Sequence, residues 1–464
     1  MPIVVVLLLL VCLSAGLPGM VAADSREAID TTLANGLRLI ALRDAKAPLV
    51  VSQLWYRVGA ADETEGGSGL AHMLEHMMFK GTSTVPKGMF SRTIARHGGQ
   101  ENAATSHDYT VYYEKIHADH LDLVLKLEAD RMQHLLFDER EFKAENSVVM
   151  EERLERTDSD PTARFIEKFQ QMALWPHAYG RPVIGWKQDI ANHSQQALQH
   201  WYHRYYSPDN AILLLVGEID LSQVVARVER YFAAIPAAKV AAHPPNQRRF
   251  TLMEGAPPQG GSAVVEPQQK RLEITDATAK LPLFYAAFLA PSLVTAQTTA
   301  DADLVPEALD VLSLLLGNGL SSRLYQRLVV EEKLAVSVDA SYDDLAYDND
   351  LWSVSIVPVD NQAMDRIETL LVEELQRLME QPVGDYELRR IKNRLHANHV
   401  YRRDALSRWA WMIGHAAVNG LDWKQLAWHY GDRLEAVTAA QLQQVARRYL
   451  HPTLAIIGRL STSS

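Results

Sequence analysis

The sequence predicts an α+β protein made of two similar domains, and three observations carry that expectation. The chain has 464 residues, 47% of them apolar and 22% charged, enough to bury more than one core and too many for one ordinary domain. Runs with strand alternation and runs with helical period follow one another along its whole length. A stretch rich in Ala, Pro and Gly, residues 236–268, separates two halves whose elements come in the same order. An internal duplication joined by a linker is the simplest account.

The chain opens with MPIVVVLLLLVCLSAGLPGMVAA, an apolar run followed by small residues at Ala22 and Ala23. Residues 1–23 read as a signal peptide cleaved near Ala23, with an uncleaved membrane anchor as the alternative. Cys12 is the only cysteine and lies inside this segment. The mature chain therefore has no thiol, which excludes a disulfide framework and a cysteine nucleophile and leaves His and carboxylates as metal ligands. A formal net charge of −11 without long basic runs excludes a nucleic-acid binder, because phosphate contact needs concentrated Lys and Arg.

Residues 24–235 form the expected first domain. Thr31 to Gly59 read as strand, turn and strand, with Asn35-Gly36 as a hairpin signal and PLVVSQLWYRVGA as a β-rich run. A Gly-rich loop, ETEGGSG, leads into LAHMLEHMMF, which has helical period; QENAATSHDYTVYYEKI suggests a further strand pair. Amphipathic helical patterns run from Ala118 to Leu136 and from Asp138 to about Arg156. Residues 269–464 form the expected second domain. There LPLFYAAFLAP stands where PLVVSQLWYRV stood, EALDVLSLLLGNG where LAHMLEHMMFKG stood, and VSVDASYDDLAYDNDLWSVSI where NAATSHDYTVYY stood. Setting Gly317 against Gly81 places Ala308, Val311 and Leu312 opposite His72, Glu75 and His76. Only the first domain can carry metal chemistry.

His72 and His76 are four residues apart, so a helix projects both imidazoles from one face, one turn apart, as two ligands of one ion must be. Glu75 shares that face, and in the order H-x-x-E-H it stands beside the metal as a base rather than as a ligand, the inverzincin signature. A third protein ligand has to come from further along the chain. In AENSVVMEERLER, Glu145 and Glu152 are seven apart and share a helix face. Glu152 is the expected third ligand, and Glu145 the group that orients a ligand or the site water.

The residues around the motif, GGSGLAHMLEHMMFKGT, resemble the pitrilysin family of zinc peptidases, and especially its half-length members related to the mitochondrial processing peptidase. GGQENAATSHDYTVYY, the segment from Glu145 to Glu152, and YYSPDNAILLLVGEID agree with it. The resemblance implies two similar α/β domains, each a mixed and mainly antiparallel sheet covered by helices, with one Zn2+ per chain in the first. It implies a zinc metalloendopeptidase that hydrolyses peptides or unfolded segments; the leader adds the expectation of an exported, periplasmic bacterial member. A peptide substrate would add as a strand around Gly99 to Thr105, with Asn102 and Ala103 at the family's peptide-contact positions. A non-catalytic assembly subunit of the same fold is the alternative function.

The sequence departs from the family in its second domain, where an Arg and a Tyr commonly hold the substrate carbonyl. Val336 falls at the position of the Tyr, and Val329 or Val330 at that of the Arg, with Arg323, Tyr325 and Arg327 nearby. A heterodimer with a related subunit that lacks zinc ligands and supplies the Arg and Tyr is therefore expected, with a homodimer as the alternative.

Overall fold

The computed structural model describes residues 28–239, 270–297 and 304–463. The expected leader, Cys12 with it, and residues 240–268 of the expected linker lie outside the described residues.

The first sheet has six strands: β1 (Ala28–Thr32), β2 (Arg38–Arg43), β3 (Leu49–Tyr56), β4 (Gln100–Thr105), β5 (Thr110–His117) and β6 (Ala211–Gly217), in the spatial order β1-β2-β6-β3-β5-β4. Every pair is antiparallel except β2 with β6. The turn between β1 and β2 uses Gly36 at φ +93°, a left-handed conformation that favours glycine, and Asn35 donates to the carbonyls of Phe232 and Ile235. The hairpin, the β-rich third strand and the later strand pair all form as the sequence predicts. What the local pattern did not reveal is β6, which inserts between β2 and β3. Its run AILLLVG is buried at every position, as a central strand covered on both faces must be.

Eight α-helices among the described residues belong to this half: α1 (Leu70–Met77), α2 (Met89–Arg96), α3 (Leu121–His134), α4 (Glu139–Arg153), α5 (Pro161–Leu174), α6 (Lys187–Ala191), α7 (Gln195–Tyr205) and α8 (Leu221–Phe232). The helices α4, α5 and α8 start on Asp138, Asp160 and Asp220, whose carboxylates accept from backbone N–H groups of the first turn. Pro161 takes the first position of α5, where its missing N–H costs nothing.

The second sheet repeats the plan with β7 (Arg271–Asp276), β8 (Leu283–Ala290), β9 (Ala335–Ser341), β10 (Asp350–Pro358) and β11 (Ile456–Thr462), in the order β7-β11-β8-β10-β9. Its parallel pair is β7 with β11, the counterpart of β2 with β6. The helices of this half are α9 (Leu293–Ala296), α10 (Val305–Leu316), α11 (Arg323–Tyr325), α12 (Ala363–Glu380), α13 (Asp385–Asp404), α14 (Leu406–Val418), α15 (Trp423–Ala436) and α16 (Ala439–Tyr449). Helix α10 stands where α1 stands in the first half, and its Ala308, Val311 and Leu312 are fully buried. The duplication read from the element order is present in five strands of each sheet, and β1 has no counterpart among the described strands of the second.

Each sheet buries one face on its own helices and the other on helices of the other half. In the first sheet Leu39, Ala41, Leu54 and Tyr56 face α1, α3, α7 and α8, while Ile40, Leu42 and Trp55 face α14 and α15, the alternation a strand imposes. In the second sheet Phe284, Ala286 and Phe288 face α10, α12 and α16, while Leu283, Ala287 and Leu460 face Phe165 and Phe169 of α5. Two glycines permit these contacts. A Cβ on Gly414 of α14 would lie 2.3 Å from the Trp55 indole, and one on Gly458 of β11 would lie 2.6 Å from the Phe169 ring. Overpacking of this kind costs about 1–3 kcal/mol. Gly414→Ala and Gly458→Ala are each expected to lower the free energy of unfolding by that order, read as a lower urea midpoint, and an unchanged midpoint would show that the two faces meet more loosely.

Candidate metal centre

Helix α1 is buried along Ala71, Met73, Leu74 and Met77, which turns His72, Glu75 and His76 away from the core, towards α4 and β4. Its entry is built by the Gly-rich loop. Gly69 caps the helix at φ +90°, packed so closely that a Cβ would lie 2.5 Å from the Ile184 carbonyl oxygen. The buried carboxylate of Glu63 accepts from the N–H of Gly69 and of Ala71, both at 2.9 Å, and so caps the first turn across the loop. Burial pushes the Glu63 carboxyl up to about 8 against those two hydrogen bonds.

The third arm comes from α4. Its buried Arg153 donates to both carboxylate oxygens of Glu167 on α5, at 3.0 and 2.9 Å, and to the Gly185 carbonyl at 2.8 Å. This fixes the end of the helix that carries Glu152. The Oε2 atom of Glu152 lies 3.3 Å from His76 Nε2 and 3.8 Å from His72 Nε2, and the two imidazoles stand edge to face with centroids 4.7 Å apart. Among the described residues, His72, His76 and Glu152 are the one group of three His or carboxylate side chains whose donor atoms lie within 4.8 Å of one another. A tetrahedral zinc with bonds of about 2.0–2.1 Å needs donor separations of roughly 3.3 Å, so these residues fit the ion.

Further contacts orient the donors. His76 Nδ1 and Glu145 Oε1 are 2.8 Å apart, and Lys80 pairs with the other oxygen of Glu145. Arg156 pairs with Glu152 Oε1 at 2.6 Å, leaving Oε2 for the histidines. Thr105 Oγ1 donates to Glu75 Oε2 at 2.5 Å. Burial, with His76 adding to it, lowers the His72 imidazole to about 3, so it is neutral as a metal ligand must be. His76 is raised: burial opposes the charge, but the hydrogen bond with Glu145 and the neighbouring carboxylates outweigh it. Burial raises Glu75, with the Thr105 hydroxyl working in the other direction. Burial also acts to raise Glu145, yet its bonds with His76 and Lys80 hold it below the usual range.

The structure thus brings His72, Glu75, His76, Glu145 and Glu152 together. Asn102 and Ala103 lie on β4, the last strand of the sheet, with Asn102 exposed. In the second half Val336 and Val330 are exposed, and Arg323 is engaged by Glu374 and Glu387. Sequence reasoning missed Glu63, Lys80, Thr105 and Arg156. Three of them left a signal, since Lys80 follows His76 and Arg156 follows Glu152 by one helical turn, and Thr105 alternates with Ala103. Glu63 left none, because its partners are backbone groups across a loop.

Two family models match the chain: one described as Insulinase (Peptidase family M16) over residues 38–186, the other as Peptidase M16 inactive domain over residues 192–395. The chain belongs to peptidase family M16. Among M16 relatives, zinc protease PqqE of Helicobacter pylori is 34% identical over 328 residues, covering 70% of this chain and 69% of that protein. The zinc protease YmxG of Bacillus subtilis is 33% identical over 206 residues, 44% of this chain and 50% of that protein. The crystal structure of a protease from H. pylori superposes with a TM-score of 0.81 at 27% identity, covering 94% of this chain and 99% of that one. The first half of the periplasmic protease PqqL from Escherichia coli shares the M16 fold, with a TM-score of 0.73 at 20% identity over 94% of this chain and 92% of that one. No helix among the described residues is long and apolar enough to cross a membrane.

Removing a group that orients a metal ligand typically costs 10–100-fold in affinity. Glu145→Ala is expected to weaken zinc binding by about that factor in competition with a chromogenic chelator, and His72→Ala to abolish it at the same free zinc.

Proposed function

We propose that the chain is a zinc metalloendopeptidase acting on peptides or unfolded protein segments, with His72, His76 and Glu152 as zinc ligands and Glu75 as the general base. One observation carries this reading: a carboxylate that donates nothing to the three-donor group stands on the same helix face, held by a hydroxyl from the neighbouring strand. Relatives named zinc proteases support it.

Zinc bound there supplies Lewis acidity to the scissile carbonyl. The remaining work falls to the chain. Glu75 is fixed at Oε2 by Thr105 and takes the proton of the attacking water at Oε1, then returns it to the leaving amine. Its raised pKa suits both halves of that transfer. Glu145, held ionised by Lys80, keeps the His76 ring aimed with Nε2 towards the ligand group. Strand β4 has β5 as its one partner among the described strands, so its other edge offers N–H and C=O groups to an extended peptide, with Asn102 and Ala103 at the contact.

The reading includes export through residues 1–23 to the periplasm, where the first-half match to PqqL also points. It includes a heterodimer. Val336 offers no hydrogen bond to a substrate carbonyl, and Arg323 is committed to two glutamates, so a related subunit without zinc ligands supplies the Arg and Tyr. A scaffolding subunit of the same fold has no physical need for Glu75 beside an intact donor set.

Glu75→Gln is expected to keep its zinc and to lose about 10²–10⁴-fold in cleavage of quenched-fluorescent peptides, with wild-type activity lost on chelation and restored by zinc. Full cleavage by the zinc-loaded variant would remove Glu75 from the base role. Full turnover by the purified chain as a homodimer would sink the heterodimer.

A further inference from the structure

The hairpin that carries Thr105 does not end within its own domain. Ser106 N donates to the Tyr109 carbonyl at 2.8 Å and closes the tip of β4 and β5. Ala60 and Ala61 donate to the carbonyls of Ser106 and His107, at 2.9 and 2.8 Å. Gly59 makes this approach possible, because a Cβ there would lie 2.4 Å from Ser106 O. Beyond these bonds the tip meets the second domain. Asp108, buried, accepts at Oδ2 from Tyr179 OH at 2.6 Å and from Tyr347 N at 3.2 Å. Tyr179 OH in turn accepts from Asp348 N at 3.1 Å, and His177 Nε2 lies 3.4 Å from Asp348 Oδ2. Tyr347 and Asp348 sit between β9 and β10, in the connection that corresponds by duplication to the tip between β4 and β5. The two equivalent hairpin tips therefore hold each other across the domain boundary.

We propose that Asp108 and Tyr179 are positioning residues for the hydrolytic reaction: through them the metal-free second domain fixes the tip next to Thr105, and so the orientation in which Thr105 holds Glu75. This rests on Glu75 being the base. The chain of contacts is continuous and short. Asp108 lies three residues from Thr105, and Thr105 pairs with Thr110 at the last rung of the hairpin. The Tyr179 ring is packed by His107 and His177 with centroids 4.8 and 4.5 Å away, so Tyr179→Phe removes the hydroxyl and keeps the packing. A buried hydrogen-bonded network of this kind holds one geometry because every member is paired. The second domain thus contributes to the reaction without touching the substrate through this network.

The test measures two properties of the full-length zinc-loaded chain and its Tyr179→Phe variant. Amide hydrogen exchange at residues 106–109 is expected to be about tenfold faster in the variant, with zinc content unchanged. The kcat for a quenched-fluorescent peptide is expected to fall about tenfold at constant KM, since misplacement of a catalytic group acts on the transition state. In a Thr105→Val background, Tyr179→Phe should cost nothing further, because its effect passes through the hydroxyl already removed. Unchanged exchange at the tip, or losses that simply add, would overturn the proposal. A wild-type chain without zinc-dependent turnover even when its related subunit is present would instead overturn the peptidase reading, and the exchange result would still decide whether Asp108 and Tyr179 fix the tip.

Discussion

Everything in this molecule depends on covering two sheets whose central strands are apolar on both faces. A sheet of that kind cannot stand with one face in water. Each domain supplies helices for one face only, and the other is covered by its neighbour: α14 and α15 lie over the first sheet, α5 over the second. Phe165 and Phe169 are buried entirely through this exchange, each contributing about 1.5–3 kcal/mol. The two halves therefore share their cores across the boundary.

The candidate centre inherits its rigidity from that arrangement. Helix α1 is pinned from below by its apolar residues and at its start by the Glu63 carboxylate. Helix α4 is pinned at its end by Arg153 against α5, the helix on which the second sheet rests. Donors on two separately anchored helices converge, with Glu152 Oε2 3.3 Å from His76 Nε2 and 3.8 Å from His72 Nε2. Preorganisation of this sort is what a site needs if the ion is to be held with an open position.

Much of this is legible in the sequence, and what is legible is local. The Asn35-Gly36 turn, the helical spacing of His72, Glu75 and His76, and the seven-residue spacing of Glu145 and Glu152 each depend on a few consecutive residues. The order of elements on either side of the linker exposes the duplication. What is hidden depends on distant partners. Strand β6 looks like any apolar run until it is placed between β2 and β3. Glu63 looks like a surface acid in a loop. Tyr179 and Asp108 look unrelated, being 71 residues apart, and only the packing of two domains makes them neighbours.

The insertion of β6 between β2 and β3 has a consequence for the order in which the chain can become itself. The candidate donors end at Glu152, yet the sheet beneath them lacks its middle strand until Gly217 is available, and its back face is bare until Val418 is. Contacts closed over such spans form late, since the entropy of closing long loops must be met before the contacts repay it. A partly synthesised chain is therefore held open by its own topology, with the residues of the candidate centre present and unassembled. The same stitch that makes the finished site rigid keeps it from existing early.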